Sequence, residues 1–384
     1  MKKLFYVGLI VLAIFEFVKV YWIMPLPGSQ QMETVDLAYF LHTFRWYFRV
    51  IITLMILVGT FHALKARRKW IPSLVVIPVL LLIYFFNFRM SADKMFLPPK
   101  ALEFFGRAEN TLSDSTLVLA IDYKGEAKAY PVRFIVYHHQ VRDTLGDKQI
   151  MVTYCRVCRS GRVFEPLING KSENFRLVDM DRFNAMFEDA TTKSWWQQST
   201  GEAITGPLKG QTLPEFPSQQ LSVNKFFTLF PFGKILQAEK ESKTFYDSLG
   251  KFERGTSKGD LTQTDSLSWK EKSWVIGLSI ENHTKAYDWR DVTTQRIIHD
   301  KLNGIPVLIA LSSDGQSFTA FQRTSNDQFF KINNDTLFTT DGIYDFSGRS
   351  LRGTGQLSRV KAYQEFWHSW RTFHPNTERY SVPP

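Results

Sequence analysis

The chain has 384 residues, of which 44% are hydrophobic and 22% charged, so neither a disordered tail nor a fibrous protein fits it. It has only two cysteines, Cys155 and Cys158, which excludes a disulfide-dense scaffold and a multi-cysteine zinc array. The net charge is +10, but residues 1–90 alone hold ten Lys and Arg against three Asp and Glu. Because this excess flanks apolar segments, it indicates membrane orientation and argues against a nucleic-acid partner.

Three apolar segments at the start of the chain predict three transmembrane helices, at 4–24, 44–64 and 70–88. Each is long enough to cross a hydrocarbon core of about 30 Å. Basic residues before the first segment and between the second and third predict which ends are cytoplasmic: Lys2, Lys3, Lys65, Arg67, Arg68 and Lys69. The sequence therefore predicts a protein of the cell (inner) membrane, in contact with membrane lipid, whose N-terminus is cytoplasmic and whose residues 91–384 are extracytoplasmic.

Several polar residues lie within or beside these segments: Glu16, Lys19, His42, Arg45, Arg49 and His62. One interpretation is a quinone, haem or ion site between the helices. The other is that the side chains near the span ends extend toward the membrane surface, while Glu16 pairs with Lys19 at i,i+3 spacing. All except Glu16 lie near an end, which favours the second interpretation.

The region outside the membrane contains a predicted internal repeat. At an offset of 157 residues, 128–130 and 285–287 both read Lys-Ala-Tyr, and Asp143 matches Asp300. Alternating apolar residues from Leu117 and from Trp274 predict one strand per copy with a single buried face. The predicted domains are a membrane anchor (1–90), a juxtamembrane connector (91–111), a first repeat (112–231), a solvated connector (232–269) and a second repeat (270–384).

Local patterns predict the elements of each copy. Asn-Gly or Asp-Gly pairs at 169–170, 303–304, 314–315 and 341–342 are typical of tight hairpins. Apolar segments at 150–154 and 307–311 predict buried strands, and 133–139 predicts a helix after Pro131. The aromatic segment 366–370 predicts a helix that packs and does not bind a ligand. The expected fold class is α+β, mostly β: an internally duplicated extracytoplasmic domain behind three transmembrane helices.

The two cysteines are confined to one copy of the repeat. At the same offset Cys155 falls on Ser312, Cys158 on Gly315 and His139 on Arg296. Positions shared by both copies are best explained by a common fold, whereas positions found in one copy are candidates for chemistry. We therefore expect Cys155 and Cys158 to be the reactive pair, with His139 as a catalytic base or a ligand.

Three interpretations of the Cys-x-x-Cys motif stay open at this point. The thiols can exchange disulfides with a thiol protein, because Arg156, Arg159 and Arg162 would favour a thiolate. They can instead form a soft metal site for copper or zinc, with the ligands Cys155, Cys158, His139 and Met186. The alternative function is a non-enzymatic binding or scaffold module, with other membrane proteins as candidate partners, in which the pair is a structural disulfide.

A second candidate site is the tryptophan-rich segment that begins at Thr191. Trp195 could offer a flat face to a sugar or quinone ring, with Gln197 beside it, so both are candidate cofactor-binding residues. The alternative is that the segment is a core aromatic strand followed by turns at the later glycines, which recur in the second copy.

A set of motifs is spread along the first copy: Ala129-Tyr130-Pro131, His139 with Asp143, Thr153-Tyr154-Cys155 with Cys158, Met186, Thr191, Trp195 with Gln197, and the glycines at 201, 206 and 210. Through these motifs, residues 112–384 resemble a bacterial family, the domain of unknown function 3179. The resemblance brings no established activity, and the membrane anchor lies outside it. The sequence predicts a membrane-anchored protein that handles thiol redox or a soft metal ion.

Overall fold

A computed structural model describes residues 1–65, 68 and 70–382 of the chain. Arg67 and Lys69, two of the basic residues used to predict membrane orientation, lie outside the described residues. The chain divides into two compact units. The first contains Met1–Leu97 and Glu173–Thr212, and the second contains Pro98–Ser172 and Leu213–Pro384.

The fold is α+β with many small sheets, which confirms the expected class. The expectation of a mostly β chain is wrong, because helix and strand take roughly equal shares. Long apolar helices at the N-terminus supply much of this helix.

Three helices of the first unit are long and apolar enough to cross a membrane, as predicted: Lys2–Tyr21, Arg45–Leu64 and Trp70–Arg89. We call them the first, second and third span helices. The third is α-helical over Trp70–Tyr84 and ends in a π-helical turn, Phe85–Arg89. The unit also has three short helical segments: Ser29–Gln31, Val35–Thr43 and Ala92–Met95.

A buried ionic network joins the three span helices. Glu16 is fully buried and accepts hydrogen bonds from Arg49 Nε at 2.6 Å, Lys19 Nζ at 2.9 Å and Asn87 Nδ2 at 2.9 Å. The predicted Glu16–Lys19 pair is therefore present. The expectation that Arg49 extends to the membrane surface is wrong, because a carboxylate within an apolar bundle holds this cation inward.

The rest of the first unit is a four-stranded antiparallel sheet, here called the anchor sheet. Its strands, in spatial order, are Ala203–Thr205, Trp195–Gln197, Asn184–Asp189 and Phe175–Asp181. It contacts the connection between the first and second span helices, since the Met180 N–H donates to the Ile23 carbonyl at 2.9 Å. An ion pair between Lys209 and Asp36, at 2.8 Å, adds a second contact.

The second unit is built from small sheets. The largest has the order Phe104–Phe105, Lys234–Leu236, Glu126–Pro131, Leu117–Tyr123 and Gln219–Ser222. A four-stranded sheet has the order Lys361–Phe366, Trp274–Ile280, His283–Asp288 and Glu378–Arg379. Three sheets have three strands each: Gln140–Leu145, Lys148–Cys155 and Ser160–Phe164; Ile297–Leu302, Ile305–Leu311 and Phe318–Gln322; Lys331–Asn333, Thr336–Thr339 and Gly342–Tyr344. Leu167–Ile168 pairs with Lys171–Ser172.

Short helices connect these strands: Val132–His138, Val223–Leu229, Lys240–Ser242, Lys243–Ser248, Gly250–Glu253, Trp289–Gln295 and Trp367–Phe373. The first and last agree with the helices predicted at 133–139 and in the aromatic segment near the C-terminus. The predicted Asn303-Gly304 hairpin is also present, with φ of +50° and +77° at the two residues. A tight hairpin needs these positive angles, which Asn and Gly tolerate.

The strand Leu117–Tyr123 is buried on both faces over its first five residues, so the expectation of one buried face is wrong. Leu117 and Leu119 face one apolar cluster, together with Tyr130. Val118 and Ala120 face another, which also includes residues from the second half of the chain. The strand lies between two cores, and alternation in the sequence cannot identify a second apolar face made of small residues.

The interpretation of 232–269 as a solvated connector does not hold for its first half. Lys234–Leu236 is a strand of the largest sheet, and Tyr246, Leu249 and Phe252 are buried in the core that contains Tyr130. These apolar residues are separated by Lys, Glu and Ser, so composition alone hides them. One face of two short helices is enough to bury them.

Candidate functional site

The Cys-x-x-Cys motif forms the turn of a hairpin in the second unit. The strand Lys148–Cys155 ends at the first cysteine, and the next strand begins at Ser160, which pairs with Cys155. Arg159 adopts φ of +55°, and its carbonyl accepts a hydrogen bond from Tyr154 Oη at 3.2 Å. Both cysteines are buried, and their sulfurs do not lie at disulfide distance from each other.

Two side chains from the second half of the chain converge on this turn. Lys272 Nζ donates to the Val157 carbonyl at 3.2 Å, and His368 Nε2 lies 3.1 Å from the same oxygen. Because a carbonyl only accepts hydrogen bonds, Nε2 carries the proton of a neutral His368. The backbone between the two cysteines is therefore held by one cation and one imidazole.

Burial shapes the electrostatics of these two groups. It lowers the pKa of His368 to about 3, helped by the Lys272 charge, so the imidazole is neutral at neutral pH. Burial also lowers the pKa of Lys272 below its usual value, and the nearby Cys158 and Cys155 oppose this effect. Within the described residues, Lys272 forms no ion pair with a carboxylate. Its side-chain hydrogen bonds run to two carbonyl oxygens, those of Val157 and Leu261.

The arginines that were expected to favour a thiolate have other partners. Arg162 pairs with the buried Glu365 at 2.7 Å, which cancels its charge. Arg159 lies over the Trp274 ring, 3.8 Å from its centroid, and donates to two backbone carbonyls. Arg156 is half-buried 5.9 Å from the Phe252 ring centroid, and its Nε has no hydrogen-bond partner among the residues that the structure describes. The expectation is therefore wrong for Arg162, while Lys272 supplies a cation that the sequence did not indicate.

His139 lies directly beside the strand that carries Cys155. It ends the helix Val132–His138 in a left-handed conformation, with φ of +61°. Its N–H donates to the Ile135 carbonyl at 2.8 Å, and its own carbonyl accepts from the Tyr154 N–H at 3.0 Å. Burial, together with the Arg156 charge, lowers the pKa of His139 to about 4. Its imidazole is therefore uncharged at neutral pH, with one ring nitrogen able to accept a proton.

The four predicted metal ligands are not gathered in one unit. Met186 belongs to the first unit, where it is fully buried against Ile23, Val178 and Trp195. The two cysteines and His139 belong to the second unit. Across the part of the chain that the structure describes, no group of three or more His, Cys, Asp or Glu side chains could hold a metal ion. The thioether of Met186 is a packing group of the anchor sheet.

Trp195 and Gln197 lie on the central part of the anchor sheet. The Trp195 indole is fully buried, contacts Tyr39 edge-to-face, and donates from Nε1 to Glu188 at 3.0 Å. It therefore presents no open face, which agrees with the alternative of a core aromatic. Gln197 Nε2 lies 3.3 Å from Asp181 Oδ2, at the edge of a cavity of about 330 Å³.

The sequence missed Lys272 and His368 as site residues. Lys272 lies among other charged residues, and His368 lies in an aromatic segment that was assigned to packing. Both are far from the cysteines along the chain, so only a tertiary contact connects them to the motif.

Comparison with known proteins agrees with the resemblance found in the sequence. The family model described as "Protein of unknown function (DUF3179)" matches residues 101–377. No curated protein and no solved structure gives a significant match to the chain.

Proposed function

We propose that this chain, which belongs to the DUF3179 family of proteins of unknown function, is a membrane-anchored extracytoplasmic protein that exchanges disulfides through Cys155 and Cys158. The observation that carries the proposal is the placement of Lys272 and His368 on the Val157 carbonyl, between the two cysteines. A cation beside a Cys-x-x-Cys turn stabilises a thiolate, which is the nucleophile in disulfide exchange.

Lys272 has no ion-paired carboxylate among the described residues. Its side chain is half-buried, its hydrogen bonds to oxygen go to neutral carbonyls, and Asp265 and Glu271 attract it without pairing with it. A partly buried cation favours an anion close by, so it would stabilise the ionised form of a neighbouring thiol. His139, neutral and next to the same strand, is the candidate base for the proton of that thiol.

The proposed reaction transfers two electrons. One thiolate attacks the disulfide of an extracytoplasmic protein and releases one substrate thiolate. The second cysteine then attacks the mixed disulfide, which leaves a Cys155–Cys158 disulfide and a substrate with two thiols, the two protons passing to the substrate sulfurs. Since both cysteines are buried, the turn at 156–159 opens during exchange.

Glutathione redox buffers test the proposal on the full-length protein in mild detergent. After acid quenching, unfolding and alkylation, mass spectrometry gives the fraction of dithiol at each ratio of reduced to oxidised glutathione. We expect the wild-type pair to equilibrate between dithiol and disulfide. We expect Lys272→Met to raise the thiol pKa by about one unit, while Lys258→Met, at an exposed loop position, leaves it unchanged.

Two outcomes would overturn the proposal. In the first, the cysteines stay reduced at every glutathione ratio until the protein unfolds, as expected for thiols with only a packing role. In the second, the purified pair is a disulfide that resists mild reductant, as expected for the alternative of a scaffold module with a structural clip.

We also propose that residues 112–384 arose by internal duplication. In each half, two antiparallel strands are followed by a short helix that ends at φ of +61°, at His139 and at Arg296. The shared Lys, Tyr and Asp form the same cluster, since Asp143 accepts from Tyr130 Oη at 2.7 Å and Asp300 from Tyr287 Oη at 2.9 Å. In both halves a later strand runs parallel to the second strand of the half: Lys234–Leu236, just beyond residue 231, and Glu378–Arg379. These features support two copies that contain positions 112–231 and 270–384.

The membrane orientation is a proposal as well. Contacts such as Met180 to Ile23 support placing the connection between the first two span helices on the same side as the anchor sheet. With the basic residues on the other side, the N-terminus is cytoplasmic. Cysteines introduced at Lys2 and at the exposed Leu267 test this, since a membrane-impermeant maleimide added to intact cells should label only the second. Labelling of position 2 alone would reverse the orientation.

A further inference from the structure

A polar cavity of about 480 Å³ lies within the first unit, where the span helices meet the anchor sheet. Its walls come from the last residues of the first span helix, the start of the second, the π-helical end of the third, and the strands Phe175–Asp181 and Asn184–Asp189. This volume is in the range of small-ligand sites. Nothing in the proposed thiol chemistry uses it.

Cations outnumber anions around the cavity. Lys19, Arg45, Arg176 and Lys193 line it, together with the carboxyl groups of Glu188 and Asp179. Glu188 is already bonded to Arg176 at 2.8 Å, and Lys19 is bonded to Glu16. Within the described residues, neither Arg45 nor Lys193 forms an ion pair. The cavity therefore has two cations that no described carboxylate contacts as an ion pair.

The remaining carboxyl group of the cavity adds a hydrogen-bond donor. A bulge in the anchor sheet sets Val178 and Asp179 together against Met186, so that both side chains face the cavity. Asp179 is buried, and its carboxyl makes no hydrogen bond within the described residues. Burial raises the pKa of Asp179 well above its usual range, which favours the protonated form that can donate a hydrogen bond.

His42 contributes in the same way. Burial, followed by the charges of Arg45 and Arg176, lowers the pKa of His42 to about 3. The imidazole is therefore neutral, 4.0 Å from the Glu188 carboxylate. Hydrogen-bond donors at Asp179 and His42, together with cations that have no ion-paired carboxylate, suit a ligand with several anionic oxygens, such as a phosphate.

The position of the cavity indicates where such a phosphate comes from. It lies where the first span helix ends, the second begins at Arg45 and the third ends at Arg89, which is the depth of lipid phosphates. Val20, Ile23, Phe86 and Met90 provide apolar wall beside the charged groups. We propose that this cavity binds the phosphate headgroup of an anionic phospholipid, while its acyl chains stay in the bilayer.

The test uses the full-length protein in phosphatidylcholine nanodiscs, with a fluorescent phosphatidylglycerol as probe. We expect phosphatidylglycerol to bind more tightly than a matched phosphatidylcholine probe. Lys193→Gln should weaken this binding about fivefold, as expected for one lysine at a membrane surface. Lys209→Gln is the matched control, because Lys209 belongs to the same unit, is exposed, and lies outside this cavity.

Asp179→Asn provides a second variant that keeps the size and a donor of the side chain. We expect it to bind phosphatidylglycerol as the wild type does, whereas Asp179→Lys, which fills the cavity, should abolish binding. Equal affinity for the two lipids, or no effect of Lys193→Gln, would overturn the proposal. Inorganic phosphate alone binding in a Lys193-dependent manner, with phosphatidylglycerol not binding, would overturn the lipid source.

Discussion

Replacing Glu365 by Gln should destabilise the second unit strongly, because it leaves a buried cation without its partner. Arg162 Nη2 lies 2.7 Å from Glu365 Oε1, and the two side chains are only 3% and 1% exposed. Removing one member of a buried ion pair typically costs about 3–5 kcal/mol. The amide of Gln has nearly the shape of the carboxylate, so this loss reports charge and not a cavity.

Two further variants make the measurement specific. The Glu271–Arg371 pair is a matched control, because its side chains are 60% and 46% exposed and Glu271→Gln should cost less than about 1 kcal/mol. The double variant Arg162→Met with Glu365→Gln removes the stranded charge, so it should be more stable than Glu365→Gln alone. The free energy of unfolding is measured by urea titration in mild detergent, followed by tryptophan fluorescence.

The reasoning is refuted if Glu365→Gln costs no more than Glu271→Gln. It is also refuted if the double variant is less stable than the single one, because the cost would then come from lost packing and not from an unbalanced charge. Arg162 lies in the strand that follows the cysteine turn, so the rate of thiol alkylation can be measured in the same variants.

Three other predictions concern the second unit. Asp143→Asn and Asp300→Asn each remove a carboxylate that accepts from both a lysine and a tyrosine. Each should lower the free energy of unfolding by about 2–3 kcal/mol, measured by urea titration. Equal losses would agree with a duplicated cluster. Gly277→Ala would place a Cβ 2.2 Å from the Trp370 ring, so we expect a loss of about 1–3 kcal/mol or more, seen as a lower Tm. Burial and the Arg323 charge lower the pKa of His299 from 6.5 to about 4. As the pH falls, the His299 imidazole is therefore protonated first in the unfolded chain, so the free energy of unfolding falls as pH drops from about 6.5 toward 4. In a pH series of urea titrations, His299→Gln should reduce this pH dependence by the contribution of one proton.

Much of the fold could be predicted because it depends on local patterns. The span helices follow from the length of apolar segments, and the helix Val132–His138 follows from the proline before it. The hairpin at Asn303-Gly304 follows from the positive φ that this pair tolerates. In each case the deciding interaction lies within a few residues of the pattern.

The candidate site could be predicted only in part. Cys155 and Cys158 share one hairpin turn, and the backbone of His139 bonds to the strand that leads into it, so local structure connects these three positions. Lys272 and His368 approach from more than 100 residues away, so no spacing in the sequence indicates them. The prediction of Met186 as a metal ligand had no support in the structure, because the segment around Met186 forms the anchor sheet of the other unit.

The two halves of the second unit solve the same electrostatic problem differently. In the second half, Lys225 approaches the turn that contains Ser312, and Asp335 accepts hydrogen bonds from both. In the first half, Lys272 approaches the turn that contains the cysteines, and carbonyl oxygens accept its hydrogen bonds where the other half has a carboxylate. If the two halves arose by duplication, they differ here in the group that accepts from the lysine, which is a carboxylate in only one of them. A thiolate at Cys155 or Cys158 would take its place as the countercharge, and placing an acidic side chain near Lys272, as in Leu261→Glu, should then raise the thiol pKa by competing for the same cation.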